Sequence, residues 1–198
     1  MSERGRSRGF SIGNRITAAF AVMLLASVAM GGFVIQCMRV MNADAANVGQ
    51  NYLPSAILNG DMATLVEKFH LQEARYVMAG GFGEMTDIAS EFPKLAADYD
   101  RSRKAAEPLI DDGEERALYT RIDADMTRYR LLHDQLLPLM QKDDNEAAVT
   151  MFKSEINRVA EDLSALFEQD NAYNTRMGAM AAHRIPVAFH AALGPVSV

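Results

Sequence analysis

Hydrophobic residues repeat along most of the chain at alternating steps of three and four positions. This spacing places them on one face of a helix, and it is the 3.5-residue repeat of helices that pack side by side. Four stretches carry such a stripe, here called a seam. The first seam is Leu58, Met62, Leu65, Phe69 and Tyr76; the second is Met85, Ile88, Phe92, Leu95, Tyr99, Ala106 and Leu109; the third is Tyr119, Ile122, Met126, Tyr129, Leu136 and Met140; the fourth is Val149, Phe152, Ile156, Val159, Leu163, Leu166, Tyr173, Met177 and Met180. The pattern predicts four amphipathic helices and an all-α fold.

Turn-forming residues separate the four seams. Three glycines within residues 80–83 follow the first seam, and glycine readily adopts the positive φ angles that end a helix. Residues 108–113 and 141–145 are the next two turns, and Asp144 or Asn145 is suited to cap the fourth helix. Turns this short connect antiparallel neighbours. We therefore expect an antiparallel up-down four-helix bundle, since a lone amphipathic helix must bury its stripe on its neighbours or on a second copy.

The first and the second predicted helices each contain a proline near their start. The first helix is expected to end near Met78, and Pro54 interrupts it. Proline removes one backbone hydrogen bond and clashes with the preceding turn, so a kink is predicted there. Pro93 is expected to delay the start of the second helix or to bend its first turns.

Before the seams lies a stretch of 23 uncharged residues, Ile16 to Met38, bracketed by Arg15 and Arg39. As a helix it is roughly 34 Å long, enough to span the hydrocarbon core of a bilayer. Residues 1–15 carry four arginines and one glutamate, and positive charge favours the cytoplasmic side. The sequence predicts a cytoplasmic N-terminus (1–15), a transmembrane helix (16–38) that continues into the bundle, and an extracytoplasmic bundle (39–184).

The competing interpretation of the same stretch is a cleaved signal peptide. Its apolar core would run from Ala18 to Ala26, with Ser27 and Ala29 at the cleavage site. The apolar character continues to Ile35, beyond a normal signal peptide, which favours the uncleaved anchor. At the other end, residues 185–198 are uncharged but too short and too interrupted by proline for a second span, so a frayed tail is expected.

The charge balance limits the classes of partner. After Arg39 the chain has 15 basic and 25 acidic residues, a formal charge of −10, and nucleic-acid binding requires a basic surface. We therefore expect no nucleic acid as partner. The one cysteine, Cys37, lies inside the predicted span, so packing rather than a disulfide must stabilise the bundle.

No motif in the sequence indicates catalysis, a cofactor or a metal. Glu67-x-x-His70 has the spacing used in di-iron bundles, but those sites need a second such motif, which the other histidines lack. A glycine-rich phosphate loop, a nucleophile elbow and a Cys-x-x-Cys-His haem motif are all absent. We therefore predict that the chain is not an enzyme and binds no cofactor.

Polar residues within the seams supply the candidate ligand site. Counted from the turns, Gln72 and His133 lie at nearly the same height, and Arg75 and Arg130 lie one helical turn away. One interpretation is a structural layer that sets the register of the helices. The other is a site where Arg75 or Arg130 holds a small anion and Gln72 and His133 donate or accept hydrogen bonds. A surface position for one or both of Gln72 and His133 is the third alternative, and all three remain open at this point.

The order of parts also resembles that of a known receptor family. An arginine-bearing N-terminus and an apolar span precede two short motifs on the outgoing helix. The matching segments are Ile12-Gly13-Asn14-Arg15-Ile16-Thr17, Asn51-Tyr52-Leu53-Pro54-Ser55 and Glu73-x-Arg75-Tyr76-Val77-Met78. Over about residues 10 to 183 the chain resembles bacterial methyl-accepting chemotaxis receptors with a four-helix-bundle sensor domain.

The resemblance implies a signal-transduction protein of the bacterial inner membrane. Its bundle would be extracytoplasmic, form a homodimer, and bind a small molecule or a ligand-loaded periplasmic binding protein, with residues 149–180 as the signalling helix. The second span and the cytoplasmic signalling part of the family do not appear in this sequence, so the chain is expected to be a truncated receptor, a fragment or a product with an altered tail. Two alternatives remain: an anchored interaction bundle without a small-molecule ligand, and a secreted bundle freed by signal cleavage.

Overall fold

The structure, a computed structural model, describes residues 12–111 and 113–193, with side chains only up to residue 183 in the last helix. The secondary structure of the described residues is entirely helical. The α-helices are α1 (Ile12–Asn47), α2 (Leu53–Val77), α3 (Phe82–Ala89), α4 (Phe92–Ala106), α5 (Glu114–Gln141), α6 (Asn145–Met151) and α7 (Asn157–Leu193). Two π-helical turns, Val48–Tyr52 and Phe152–Ile156, precede α2 and α7, and a 3₁₀ turn, Glu107–Leu109, follows α4.

The described residues fall into two units, and Ala46–Ala182 forms the larger one. The other unit contains the apolar part of α1, whose side chains are exposed almost throughout residues 12–38. By length and composition, the helical run Ile12–Val77 is the one described helix that could cross a membrane. It includes the predicted span, residues 16–38.

Within Ala46–Ala182 the helices form four antiparallel rods: α2, then α3 with α4, then α5, then α6 with the first part of α7. Each rod buries one face, as the 3.5-residue repeat requires. Tyr119, Tyr129 and Ile122 of α5 and Ile156 and Leu163 of the fourth rod are among the largest fully buried side chains. The predicted all-α, antiparallel four-helix bundle is confirmed.

The third seam is buried as predicted at every position, including its polar residue His133. The fourth seam is buried from Ile156 to Tyr173, and its polar residue Asp170 has no exposed surface. At its end the prediction is wrong, because Met180 is 50% exposed and Ala181 is buried in its place.

The first seam requires a correction. Met62, Phe69 and Tyr76 are buried as predicted, but Leu58 and Leu65 only flank the core and Gln72 is half-buried. The buried positions between the three are instead Ser55, Asn59, Val66 and Glu73. The buried face of α2 therefore includes polar residues, whose burial a hydrophobic pattern cannot predict.

The structure has a helical irregularity beside each of Pro54 and Pro93. Just before Pro54, where a kink is predicted, the structure has the π-helical turn Val48–Tyr52, in which the Leu53 N–H donates to the Val48 carbonyl five residues back. Pro54 follows this turn, at the second position of α2. Pro93 occupies the equivalent place in α4, and the second rod is accordingly divided into α3 and α4.

The turns between the rods lie where the sequence predicts them. Asp144 caps α6, with its carboxylate accepting from the Ala147 N–H at 3.4 Å. Gly113 precedes α5 with a φ of 96°, a conformation that favours glycine. Asp112 and residues 194–198 of the predicted tail lie outside the described residues. Where the tail is described, α7 continues as a helix to Leu193 instead of fraying.

Candidate functional site

A buried carboxylate, Glu73, is the centre of a polar network between α2 and α5. It has no exposed surface. One carboxylate oxygen, Oε1, lies 2.9 Å from Nδ1 of His133, and the other, Oε2, accepts a hydrogen bond from the Tyr129 hydroxyl. Both oxygens are thus occupied by groups from the neighbouring helix, which is how a buried carboxylate is tolerated in a core.

His70 extends this network toward the surface. Its Nδ1 lies 3.2 Å from the Tyr129 hydroxyl oxygen and 3.9 Å from Oε2 of Glu73. Because the Tyr129 hydroxyl donates to Glu73, its oxygen accepts the Nδ1 proton of His70, and Nε2 is the ring nitrogen left to accept. Phe152, in the π-helical turn before α7, stacks on the His70 ring at 5.0 Å between centroids.

Aromatic rings enclose the other side of the network. Phe69 and Phe92 contact the His133 ring edge-on, with centroid distances of 4.8 and 4.5 Å. Burial, followed by the charge of Glu73, raises the pKa of Tyr129 well above its usual range. The phenol therefore stays protonated and remains a donor to Glu73.

The sequence-predicted residues Gln72 and Arg75 lie together on the outer side of α2. Nη1 of Arg75 donates to Oε1 of Gln72 at 3.0 Å; Arg75 is exposed and Gln72 is half-buried. The buried polar position expected for Gln72 is occupied by its neighbour Glu73. A hydrophobic pattern does not predict a carboxylate in the core. The sequence feature that could have indicated one is the spacing of Tyr129 and His133, which lie four residues apart on the facing helix.

Arg130 and His133, the other two predicted residues, share a cleft between α4 and α5 that Phe69 and Phe92 also line. Arg130 is already engaged, because its Nη2 donates to Oδ1 of Asp100 at 2.5 Å. The four predicted residues are therefore divided into two pairs. An anion site made of all four stays a prediction.

A second cleft, of about 310 Å³, lies between α2 and α7. Its apolar lining includes Val66 and Phe167, which are buried. The polar residues that line it are Glu67, His70, Asn157, Glu161 and Ser164. Through His70 this cleft is in direct contact with the Glu73 network, and none of its lining residues is a lysine or an arginine.

Another polar cluster lies near the end of the bundle where α2 begins. Nδ2 of Asn174 lies 2.9 Å from Oε1 of Glu115 and 3.3 Å from Oδ2 of Asp170. The other Glu115 oxygen accepts from the backbone N–H of Asp111. Burial, and next the charge of Glu115, raise the pKa of Asp170 to about 7, and burial also raises the pKa of Glu115.

Neither cluster has the composition of a metal centre. Across the described ranges, no group of three or more His, Cys, Asp or Glu side chains is placed to hold a metal ion. The structure instead has a cleft rich in hydrogen-bond acceptors. Through His70 this cleft contacts the buried hydrogen-bond network that joins α2 and α5.

Comparisons with known proteins agree with this architecture. Residues 9–184 match the family described as a four helix bundle sensory module for signal transduction. No curated protein and no solved structure matches the chain. With most of its length covered by that match, the chain belongs to the family of four-helix-bundle sensory modules for signal transduction.

Proposed function

We propose that this chain is the membrane-anchored sensor of a chemoreceptor-like protein, with its bundle outside the cytoplasm of a bacterial cell. The observation that carries the proposal is the family match over residues 9–184, which includes the apolar span as well as the bundle. The arginines of residues 1–15 support a cytoplasmic N-terminus. The stimulus is a small molecule or a ligand-loaded partner protein that acts on the bundle.

Topology is tested by cysteine labelling in intact cells. The native thiol is removed by Cys37→Ser, and a single cysteine is introduced at an exposed bundle position by Glu168→Cys or near the N-terminus by Ser7→Cys. A membrane-impermeant maleimide should label the first variant in intact cells and the second only after the cells are permeabilised. Equal labelling of both before permeabilisation would contradict the anchor and its orientation.

The sensor also presents a surface suited to a second copy of itself. Leu53, Ile57 and Leu71 of α2 are each more than half exposed, although they are large and apolar. They lie on one helical stripe with Gly60 and Thr64, which are exposed as well. Glycine and threonine take up little room, so another helix can approach closely there. This outer stripe of α2 supports a homodimer in which the two α2 helices pair.

A thermal-shift screen of the purified full chain separates a small-molecule sensor from an interaction bundle. A ligand at 100 times its dissociation constant stabilises the folded state by about 2.7 kcal/mol. For a chain of this size that raises the melting temperature by about 5 to 10 °C. A bundle that recognises only another protein would respond to none of the amino acids, organic acids and amines in the screen.

A further inference from the structure

We propose that the cleft between α2 and α7 is a binding site for a small organic cation with a protonated amine. The inference rests on the proposed sensory function and specifies the ligand class. The cleft, about 310 Å³ in volume, is in the range of small-molecule sites. All its lining residues belong to the unit Ala46–Ala182.

The charge of the cleft selects a cation. Glu67 and Glu161 face each other across it from α2 and α7, and both carboxylates are exposed. Neither forms a hydrogen bond or an ion pair with any other residue that the structure describes. With no lysine or arginine among the lining residues, the two carboxylates would repel an anionic ligand there.

The hydrogen-bonding groups of the cleft select an ammonium. Oδ1 of Asn157 is buried and has no hydrogen-bond partner among the described residues. His70 uses Nδ1 toward Tyr129, so its Nε2 is free to accept. The Glu67 and Glu161 carboxylates and the imidazole Nε2 provide three acceptors for the three N–H donors of a protonated primary amine, and the unpartnered Asn157 oxygen lies in the same wall.

The buried part of the cleft selects a ligand with an alkyl portion. Val66 and Phe167, with 5% and 2% exposure, form its apolar floor together with Ala63 and Ala160. A hydrated metal ion would leave this floor unused, and among the described residues no group of three or more His, Cys, Asp or Glu side chains is placed to hold one. An alkylammonium fills both parts, because its chain contacts the floor while its charge lies near the carboxylates.

The position of the cleft explains how occupancy would reach the core. His70 is bonded to Tyr129 of α5 and stacked on Phe152 of the fourth rod. A ligand that donates to His70 Nε2 fixes the tautomer in which Nδ1 donates to Tyr129, and so strengthens the link from Tyr129 to Glu73. Three of the four rods are then joined through one residue at the cleft.

The test is isothermal titration of the purified full chain in detergent with three probes of similar size: n-butylammonium, butanoate and n-butanol. Only n-butylammonium should bind. Glu67→Gln and Glu161→Gln should each weaken its binding by about tenfold, the effect of losing one charge-assisted hydrogen bond. Glu168→Gln removes an exposed carboxylate of α7 outside the cleft and should leave the affinity unchanged.

Three results would overturn the assignment: no binding of n-butylammonium, binding that the Glu67→Gln and Glu161→Gln variants leave unchanged, or equal weakening by Glu168→Gln. The first of these results, combined with butanoate binding that depends on Arg75 or Arg130, would support a sensor that uses the predicted anion site instead. If the whole thermal-shift screen and all three probes fail, the small-molecule sensor function fails as well.

Discussion

His133 of α5 and Glu73 of α2 are joined in the core by a contact of 2.9 Å between Nδ1 and Oε1. The carboxylate is fully buried and the histidine is 8% exposed. A polar contact of this kind contributes little net stability compared with an apolar pair, but it is costly to break from one side. It is also directional, and therefore holds α2 and α5 at one relative height.

Glu73→Ala should strongly destabilise the bundle, because it leaves the Tyr129 hydroxyl and the His133 ring buried without their acceptor. We expect a loss of about 3 to 5 kcal/mol in the free energy of unfolding, measured by urea denaturation followed by circular dichroism. Glu168→Ala, at an exposed position, should change it by about 0.5 kcal/mol or less. A Glu73→Ala variant as stable as the parent would contradict the network.

Stability should fall as the pH rises from about 4 to about 7. The pKa of Asp170 is raised from 3.8 to about 7 in the folded state, so the folded chain binds this proton more tightly than the unfolded chain. The resulting stabilisation is fully present below pH 4 and is lost as the pH rises through 7. Glu115 and Tyr119 face the carboxyl from α5, and their pKa values are raised as well.

The melting temperature measured across this pH range checks the assignment to Asp170. Asp170→Asn keeps an oxygen that can accept from Asn174 but cannot ionise, so its melting temperature should vary less with pH. Asp162→Asn, at an exposed position of the same helix, should follow the parent curve. An unchanged slope in Asp170→Asn would show that another group carries the pH dependence.

Arg103 connects α4 to α5 through a planar contact that lysine cannot reproduce. Its Nε and Nη2 donate to the two oxygens of Asp123 at 2.8 and 2.7 Å, and its guanidinium lies 5.0 Å from the centre of the Tyr119 ring. Arg103→Lys should lower the free energy of unfolding by about 1 kcal/mol. Arg101→Lys, where the side chain is 76% exposed, serves as the control and should have little effect in the same urea titration.

The outer stripe of α2 gives a direct test of dimerisation. Leu53→Arg combined with Ile57→Arg places two positive charges at the proposed interface and should convert a dimer into a monomer in analytical ultracentrifugation of the full chain in detergent. Leu131→Arg is a matched control, because Leu131 on α5 is 57% exposed and Ile57 is 56% exposed. Dissociation by Leu131→Arg alone would place the interface elsewhere.

Most of the fold follows from the hydrophobic repeat, because four helices joined by short turns can bury their apolar stripes in only a few arrangements. The third seam is buried throughout because α5 has apolar or aromatic residues at nearly every inward position. The prediction of the first seam is partly wrong because Ser55, Asn59 and Glu73 are on the buried face of α2. Those residues are stabilised by partners that are distant in sequence, such as His133 for Glu73, and a local pattern contains no information on them.

The same limit applies to the candidate site. The structural-layer interpretation places His133 in the core, and it is buried there, whereas the inward partner is Glu73 and not Gln72. The α2–α7 cleft depends on the rotation of both helices, and the π-helical turn before α7 contributes to it by changing which residues face inward. A repeat counted in steps of three and four assumes one helical geometry throughout, so it cannot place Asn157 in that cleft.

The π-helical turn Phe152–Ile156 gives the fourth rod a place where its length can vary. The Asn157 N–H donates to the Phe152 carbonyl five residues earlier, one residue more than an α-helix uses. Deleting Ser154 would restore the ordinary spacing and leave every later side chain in register, so the shortened chain should still fold, as a cooperative melt would show. Deleting Ala165 from the middle of α7 would rotate everything beyond it by about 100° and expose the core. We therefore expect a single-residue change in length to be absorbed at one end of this rod and not along the rest of it.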